Sequence, residues 1–183
     1  MKAKNHTLLA SAWIALGVLA RLIPHPANVT PMTSISLFGG SELKRSHAFL
    51  ITFATLVASD LLLALAFGYP AFGLWSLFTY TGFAAIIFAG SFLRARKTAL
   101  RTIGLLAGSS VFFWLWTNFG VWATGEHSMY PRTLEGLGAC YVAALPFLRN
   151  ALVGDLAWGF AFFAGFEAVK NLAPRFGISF QRA

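Results

Sequence analysis

Two aspartates, Asp60 and Asp155, lie inside long apolar stretches of this 183-residue chain. A charged side chain at the centre of a bilayer costs about 2.5–3.5 kcal/mol on insertion scales, so each carboxyl needs a partner, a proton or a water-filled cavity. Arg149 is the cationic side chain that we expect to pair with them. Two carboxyls that meet can share a proton and activate water. Otherwise they can anchor a ligand or hold helices together.

An intramembrane aspartyl hydrolase is one interpretation of the pair. Its familiar signature at the second aspartate is Gly-x-Gly-Asp, and the sequence Leu152-Val153-Gly154-Asp155 lacks the first glycine. The chain also has no Gly-x-Ser-x-Gly nucleophile elbow and no phosphate-binding glycine loop. We therefore expect a protein that is not an enzyme, with the hydrolase kept as an alternative.

Histidine, cysteine and carboxylate residues are too scattered to predict a metal site. No set of them has the spacing of metal ligands, and the single cysteine, Cys140, excludes an intramolecular disulfide. The net charge of +8 comes from basic residues in short loops between apolar runs. Membrane topology explains that distribution better than nucleic acid binding. We expect no permanently bound cofactor and no nucleic acid partner.

Membrane spans are the elements that must position these polar groups. The chain is 57% hydrophobic and 11% charged, whereas soluble domains carry about 25% charged residues. Apolar runs long enough to cross a bilayer recur along it. The sequence predicts an all-α transmembrane domain covering residues 1–183, with spans at about 7–24, 31–42, 48–67, 72–93, 100–121 and 150–170.

Two segments depart from this regular pattern. The second span, 31–42, is short and interrupted by Gly39-Gly40, so we expect protein to surround it. The stretch 134–148 is apolar but broken by Gly136, Gly138 and Pro146. Glycine and proline disfavour a regular helix at these points, so we interpret 134–148 as a broken segment where a pocket could close.

The distribution of basic residues predicts the orientation. An N-terminus in the cytoplasm places 11 of the 14 Lys and Arg residues inside, so we expect six crossings with both termini cytoplasmic. The polar residues of the spans then share one level in the outer half of the membrane. We predict a ligand pocket there, formed by His25, Asn28, Thr30, Asp60, Tyr80, Asn118, Trp122, Tyr141, Arg149 and Asp155. A structural network of salt bridges and helix caps is the alternative.

The architecture resembles the substrate-binding S component of energy-coupling-factor (ECF) vitamin transporters. A string of short motifs also resembles related uncharacterised bacterial membrane proteins over about residues 10–170. The motifs are Asn28-x-Thr30-Pro31, Ser59-Asp60, Asn118-Phe119-x-x-Trp122, Tyr130-Pro131-x-Thr133-x-x-Gly136-Leu137, Cys140-Tyr141, Pro146-Phe147 and Gly154-Asp155-Leu156.

Among S components, the chain is most similar to the small cobalamin-type members. That similarity rests on His25, Asp60, Tyr80 and Arg149, which fall where those proteins place ligand-contacting groups. Some members carry a cobalt-ligating cysteine near the connection between spans three and four, and residues 68–79 here contain none. The resemblance leaves His25 as the candidate cobalt ligand.

The resemblance implies a multi-pass protein of the bacterial cytoplasmic (inner) membrane. Its expected function is high-affinity binding and uptake of a vitamin-like small molecule, with cobalamin as one candidate. The expected partners are the lipid bilayer, an ECF coupling subunit and its ATPases. A membrane subunit that serves assembly and binds no ligand is the alternative from another functional class.

Overall fold

A computed structural model of the chain describes residues 28–68, 70–125 and 129–176, together with the isolated positions 8, 11, 12, 15, 16, 19 and 26. Most of the predicted first span, 7–24, lies outside these residues, as does His25. The described residues form six α-helices and a short 3-10 helix at Ala173–Phe176. The α-helices are α1 (Met32–Glu42), α2 (Arg45–Phe67), α3 (Leu74–Ser91), α4 (Ala99–Thr124), α5 (Leu134–Ala143) and α6 (Leu145–Leu172).

Four of these helices, α2, α3, α4 and α6, are long and apolar enough to cross a membrane. The shortest, α3, has 18 residues, which corresponds to about 27 Å at 1.5 Å per residue and nearly matches the bilayer core of about 30 Å. The all-helical, multi-pass prediction is confirmed at this level. The number of six crossings and the cytoplasmic position of both termini stay predictions.

The short helix α1 is the centre of the bundle. It packs against α2, α3, α4 and α6, and every residue from Met32 to Ser41 is buried. The prediction that protein would surround this segment therefore holds. Its Phe38 ring packs against Phe162, Phe163 and Phe166 of α6, with ring centroids 5.0–5.7 Å apart.

Two glycines allow α1 to approach α3 closely. A Cβ atom on Gly40 would overlap the Ile87 carbonyl oxygen, and one on Gly90 would overlap the Leu37 carbonyl oxygen. The predicted interruption at Gly39-Gly40 is wrong, because α1 continues to Glu42. Gly40 and Gly90 permit a close helix crossing, as small residues do in membrane bundles.

The predicted broken segment, 134–148, contains one short helix and the start of a long one. α5 ends at Ala143, and α6 begins at Leu145 with Pro146 in its first turn. Proline is tolerated there because its missing N–H would have no helical partner anyway. Pro146 thus lies at the start of a helix, and α6 begins earlier than the predicted 150.

Candidate functional site

α4 presents polar and aromatic side chains on one face. Ser110, Phe113, Trp114, Thr117 and Asn118 follow one another at intervals of three and one residues, so the helical period brings them to the same side. All five line a cavity of about 300 Å³.

The other walls of the cavity come from α1, α3, α6 and the turn before α1. The remaining lining residues are Asn28, Thr30, Met32, Thr33, Thr79, Phe83, Phe147, Ala151 and Asp155.

Asp155 is a deeply buried polar group of the cavity, with 3% of its surface exposed. Its carboxyl accepts hydrogen bonds from Ser110 Oγ, at 2.7 Å, and from the Thr33 hydroxyl. Its backbone carbonyl accepts a third from Ser34 Oγ, at 2.9 Å. Asp155 therefore connects three helices, α1, α4 and α6.

The direction of α1 suits the charges at its two ends. Its first turn, which carries Thr33 and Ser34, lies against the Asp155 carboxyl. At the other end, Arg94 donates to the Gly40 carbonyl, at 2.9 Å, and to another carbonyl beyond the helix. Acidic groups near a helix N-terminus and cations near its C-terminus both complement the helix dipole.

A second polar cluster lies at the Arg94 end of the bundle, away from the cavity. Lys97 bridges two carboxylates, Glu42 and Glu167, and Lys170 also pairs with Glu167 at 2.9 Å. The side chain of Glu42 is fully buried. This ion-pair network joins α1, the loop after α3 and α6.

The turn at residues 28–30 closes one side of the cavity. Asn28 has a φ of 63°, in the left-handed region, which asparagine tolerates better than most residues. The Val29 N–H donates to the Pro26 carbonyl at 3.1 Å. A Cβ atom on Gly154 would lie 3.0 Å from Val29 Cα, so the turn rests directly on α6 beside Asp155.

The structure brings four of the predicted site residues together. Asn28, Thr30, Asn118 and Asp155 all line the cavity. Two others form a separate, partly buried contact, in which the Tyr80 hydroxyl donates to Asp60 Oδ2 at 3.0 Å. Among the described residues, no hydrogen bond joins the carboxyls of Asp60 and Asp155.

Three further predicted residues lie outside the cavity lining. Trp122 Nε1 donates to the Pro131 carbonyl at 3.0 Å, and the Tyr141 hydroxyl donates to the Leu115 carbonyl at 3.1 Å. Both bonds fasten α5 and its preceding loop to α4. Arg149 is exposed in the second turn of α6. The ion pair expected between Arg149 and Asp155 is not present, because hydroxyl groups occupy the carboxyl instead.

Sequence reasoning missed several lining residues, chiefly Thr33, Thr79, Ser110 and Thr117. Ser110 and Thr117 are seven residues apart, with Asn118 adjacent, and that polar spacing could have been found. No comparable polar spacing in the sequence marks Thr33 or Thr79 as a lining residue. In apolar helices, threonine hydroxyls often bond only to their own backbone.

A wider recess of about 670 Å³ lies between α4 and α6, nearer Lys97. Its walls include the exposed side chains of Ile103 and Phe160. Charged groups occur at one end only, where they pair with each other. A ligand site needs a few convergent polar groups, so the smaller cavity around Asp155 is the better candidate. No three described His, Cys, Asp or Glu residues are grouped as a metal site would require.

These features define the class of the protein: a multi-pass, all-helical membrane protein whose helices surround a small cavity with apolar walls and several polar groups. The chain belongs to the family of unknown function DUF6580, whose model matches residues 1–176. No curated protein and no solved structure matches the chain.

Proposed function

We propose that this protein binds a small, vitamin-like solute inside the membrane and takes part in its uptake from the outer face. The cavity around Asp155 carries the proposal, because hydroxyl, amide and carboxyl groups from four helices and a turn converge on it. Ligand sites combine apolar walls with a small number of polar groups of this kind. The sequence resemblance to ECF S components supports the same function.

The size of the cavity favours a small solute. Ligand pockets span about 300–1,000 Å³, and this one has about 300 Å³. That volume suits a compound of one or two rings better than cobalamin, whose corrin ring and nucleotide loop need far more space. Uptake of cobalamin would require the turn at residues 28–30 to move away from α6.

Transport would begin with capture of the solute from outside. The turn at residues 28–30 would cover the bound solute, because Asn28 and Thr30 line the cavity and Val29 packs against Gly154 of α6. Energy would come from an ECF coupling subunit and its ATPases, since the chain has no phosphate-binding glycine loop. We place this assembly in the bacterial cytoplasmic membrane.

A ligand-free assembly subunit is the second candidate. The hydrogen bonds of Asp155 favour it, because they join three helices and would stabilise the bundle without any solute. An intramembrane aspartyl hydrolase has no comparable observation. A proton-sharing pair needs two carboxyls in contact, and Asp60 instead accepts a hydrogen bond from Tyr80.

A thermal-shift screen of vitamins, cofactors and metabolic amines, cobalamin included, tests the proposal on the purified protein in detergent. A binder should be stabilised by at least one solute, because a ligand that binds only the folded state raises its stability. Cells that express the protein with a coupling module should then accumulate that solute. A flat screen would favour the assembly subunit.

A further inference from the structure

We propose that the solute of this cavity is a small organic cation rich in hydrogen-bond donors, namely a protonated amine attached to a planar ring. This inference rests on the proposed function and specifies the chemical class of the ligand. Three independent properties of the cavity carry it: its charge, its hydrogen-bonding capacity and its aromatic walls.

The described walls of the cavity carry a negative charge or none. Asp155 is the only ionisable group among the described lining residues, and its carboxyl is bonded to two neutral hydroxyls. A buried carboxylate is costly unless a cation accompanies it. An ammonium group would supply that missing charge, whereas an anionic solute would meet no Lys, Arg or His side chain on the described walls.

The hydrogen-bonding groups that α3, α4 and Asp155 contribute to the cavity are mainly acceptors. The hydroxyls of Thr79 and Thr117 donate to carbonyls one turn earlier in their own helices, at 3.3 and 2.8 Å. Asn118 Nδ2 does the same at 2.8 Å, and Ser110 Oγ donates to Asp155. A hydroxyl has one proton and two lone pairs. With these protons engaged, the oxygens of Thr79, Thr117 and Asn118 and the Asp155 carboxyl remain as acceptors, and one Asn118 N–H remains as a donor. Acceptors therefore outnumber donors among these groups, which favours a solute that brings donors.

Aromatic rings form most of the apolar part of the wall. Phe83 and Phe113 pack with their centroids 4.4 Å apart, and Trp114 lines the same cavity. The faces of such rings attract cations and stack on flat ligands. Together with the volume of about 300 Å³, this arrangement suits one planar ring with an aminoalkyl group.

Matched trios of probes test the class of ligand. Pyridoxamine, pyridoxine and pyridoxate carry an ammonium, a hydroxyl and a carboxylate on the same ring. Phenylethylamine, phenylethanol and phenylacetate repeat the comparison on a second ring. Affinities measured by calorimetry on the full-length protein should favour the amine over the alcohol by about tenfold or more, as expected for one hydrogen bond to a charged group. Carboxylates should not bind measurably.

Two variants assign the preference to the cavity. Asp155→Asn should remove the difference between amine and alcohol, because it keeps the shape of the side chain and removes its charge. Thr117→Val, which replaces one acceptor with a methyl group, should weaken amine binding several-fold. This second variant tests the inference if Asp155→Asn does not fold. Amine preference that persists in a folded Asp155→Asn protein, or is unchanged in Thr117→Val, would overturn the inference.

The outcomes separate this inference from the proposed function. If the alcohols or carboxylates bind as tightly as the amines, or if only a neutral or anionic solute binds in the wider screen, the protein is a binder of another class. In that case the proposed function is supported, and the inference that the solute is a cation is rejected. If no compound of either set binds, the proposed function falls and the inference falls with it.

Discussion

The crossing of α1 and α3 gives a sharp stability prediction for Gly90→Ala. A methyl group at Gly90 would overlap the Leu37 carbonyl oxygen and lie 3.0 Å from the Gly40 Cα. These are backbone atoms of a helix that is buried on all sides, so they cannot rotate away. The two helices must therefore move apart, which disturbs the helix that carries Thr33 and Ser34, two of the three hydroxyl partners of Asp155.

Gly90→Ala should lower the free energy of unfolding by about 2 kcal/mol. Overpacking costs about 1–3 kcal/mol, and we take the upper end because the obstacle is backbone. Alanine in place of a helical glycine returns about 0.5–1 kcal/mol. A net loss of about 2 kcal/mol lowers the melting temperature by roughly 4–8 °C in a domain of this size.

Gly104→Ala is the matched control. Gly104 lies on an exposed face of α4, and a Cβ atom there would have no neighbour within 4 Å. The same change of residue should therefore leave the protein as stable as wild type or slightly more stable, because only helix propensity contributes.

The chain contains its own reporter for this experiment. Cys140 is the only cysteine and is 2% exposed, so a fluorogenic maleimide should label it only when the surrounding structure opens. Melting curves of wild type, Gly90→Ala and Gly104→Ala in one detergent give the comparison. A Gly90→Ala protein that melts with or above Gly104→Ala would refute the close crossing.

Two further predictions use the same assay. Ser110→Ala should lower the free energy of unfolding by about 1–3 kcal/mol, because it takes one donor from the buried Asp155 carboxyl. Ser109 does not donate to Asp155, so Ser109→Ala should lower stability less. Equal losses in the two variants would argue against the Asp155 hydrogen-bond network. Lys97→Met should lower the free energy of unfolding more than Lys170→Met does, because Lys97 pairs with the fully buried Glu42 side chain of α1. Partly exposed ion pairs such as that of Lys170 contribute about 0–1 kcal/mol. The reverse order would contradict the proposed role of that cluster.

The sequence predicts the helices well because their signal is local. Apolar runs gave α2, α3 and α4 close to their observed bounds, and the shortness of α1 indicated its burial. The glycines at positions 39 and 40 were misinterpreted because glycine lowers helix propensity and also permits close packing. Only the partner helix, which the sequence does not show, distinguishes these two effects.

The candidate site was predicted in part, because depth in the membrane is easier to infer than direction. Arg149 and Asp155 are near each other along α6, but six residues turn a helix by roughly 240°, so the two side chains leave different faces. Asn118 and Asp155 were placed at one level and do share the cavity. The contact of Asp60 with Tyr80 depends on the packing of α2 against α3, which no local pattern encodes.

The most direct test of solute binding in this cavity uses a variant that fills it. Ala151 lines the cavity on α6, and Ala157 lies on an exposed face of the same helix. Any solute that stabilises the wild-type protein in the thermal-shift screen should also stabilise Ala157→Phe and should have no effect on a folded Ala151→Phe protein. A solute that stabilises all three proteins equally, or a screen in which none stabilises the wild type, would contradict the account.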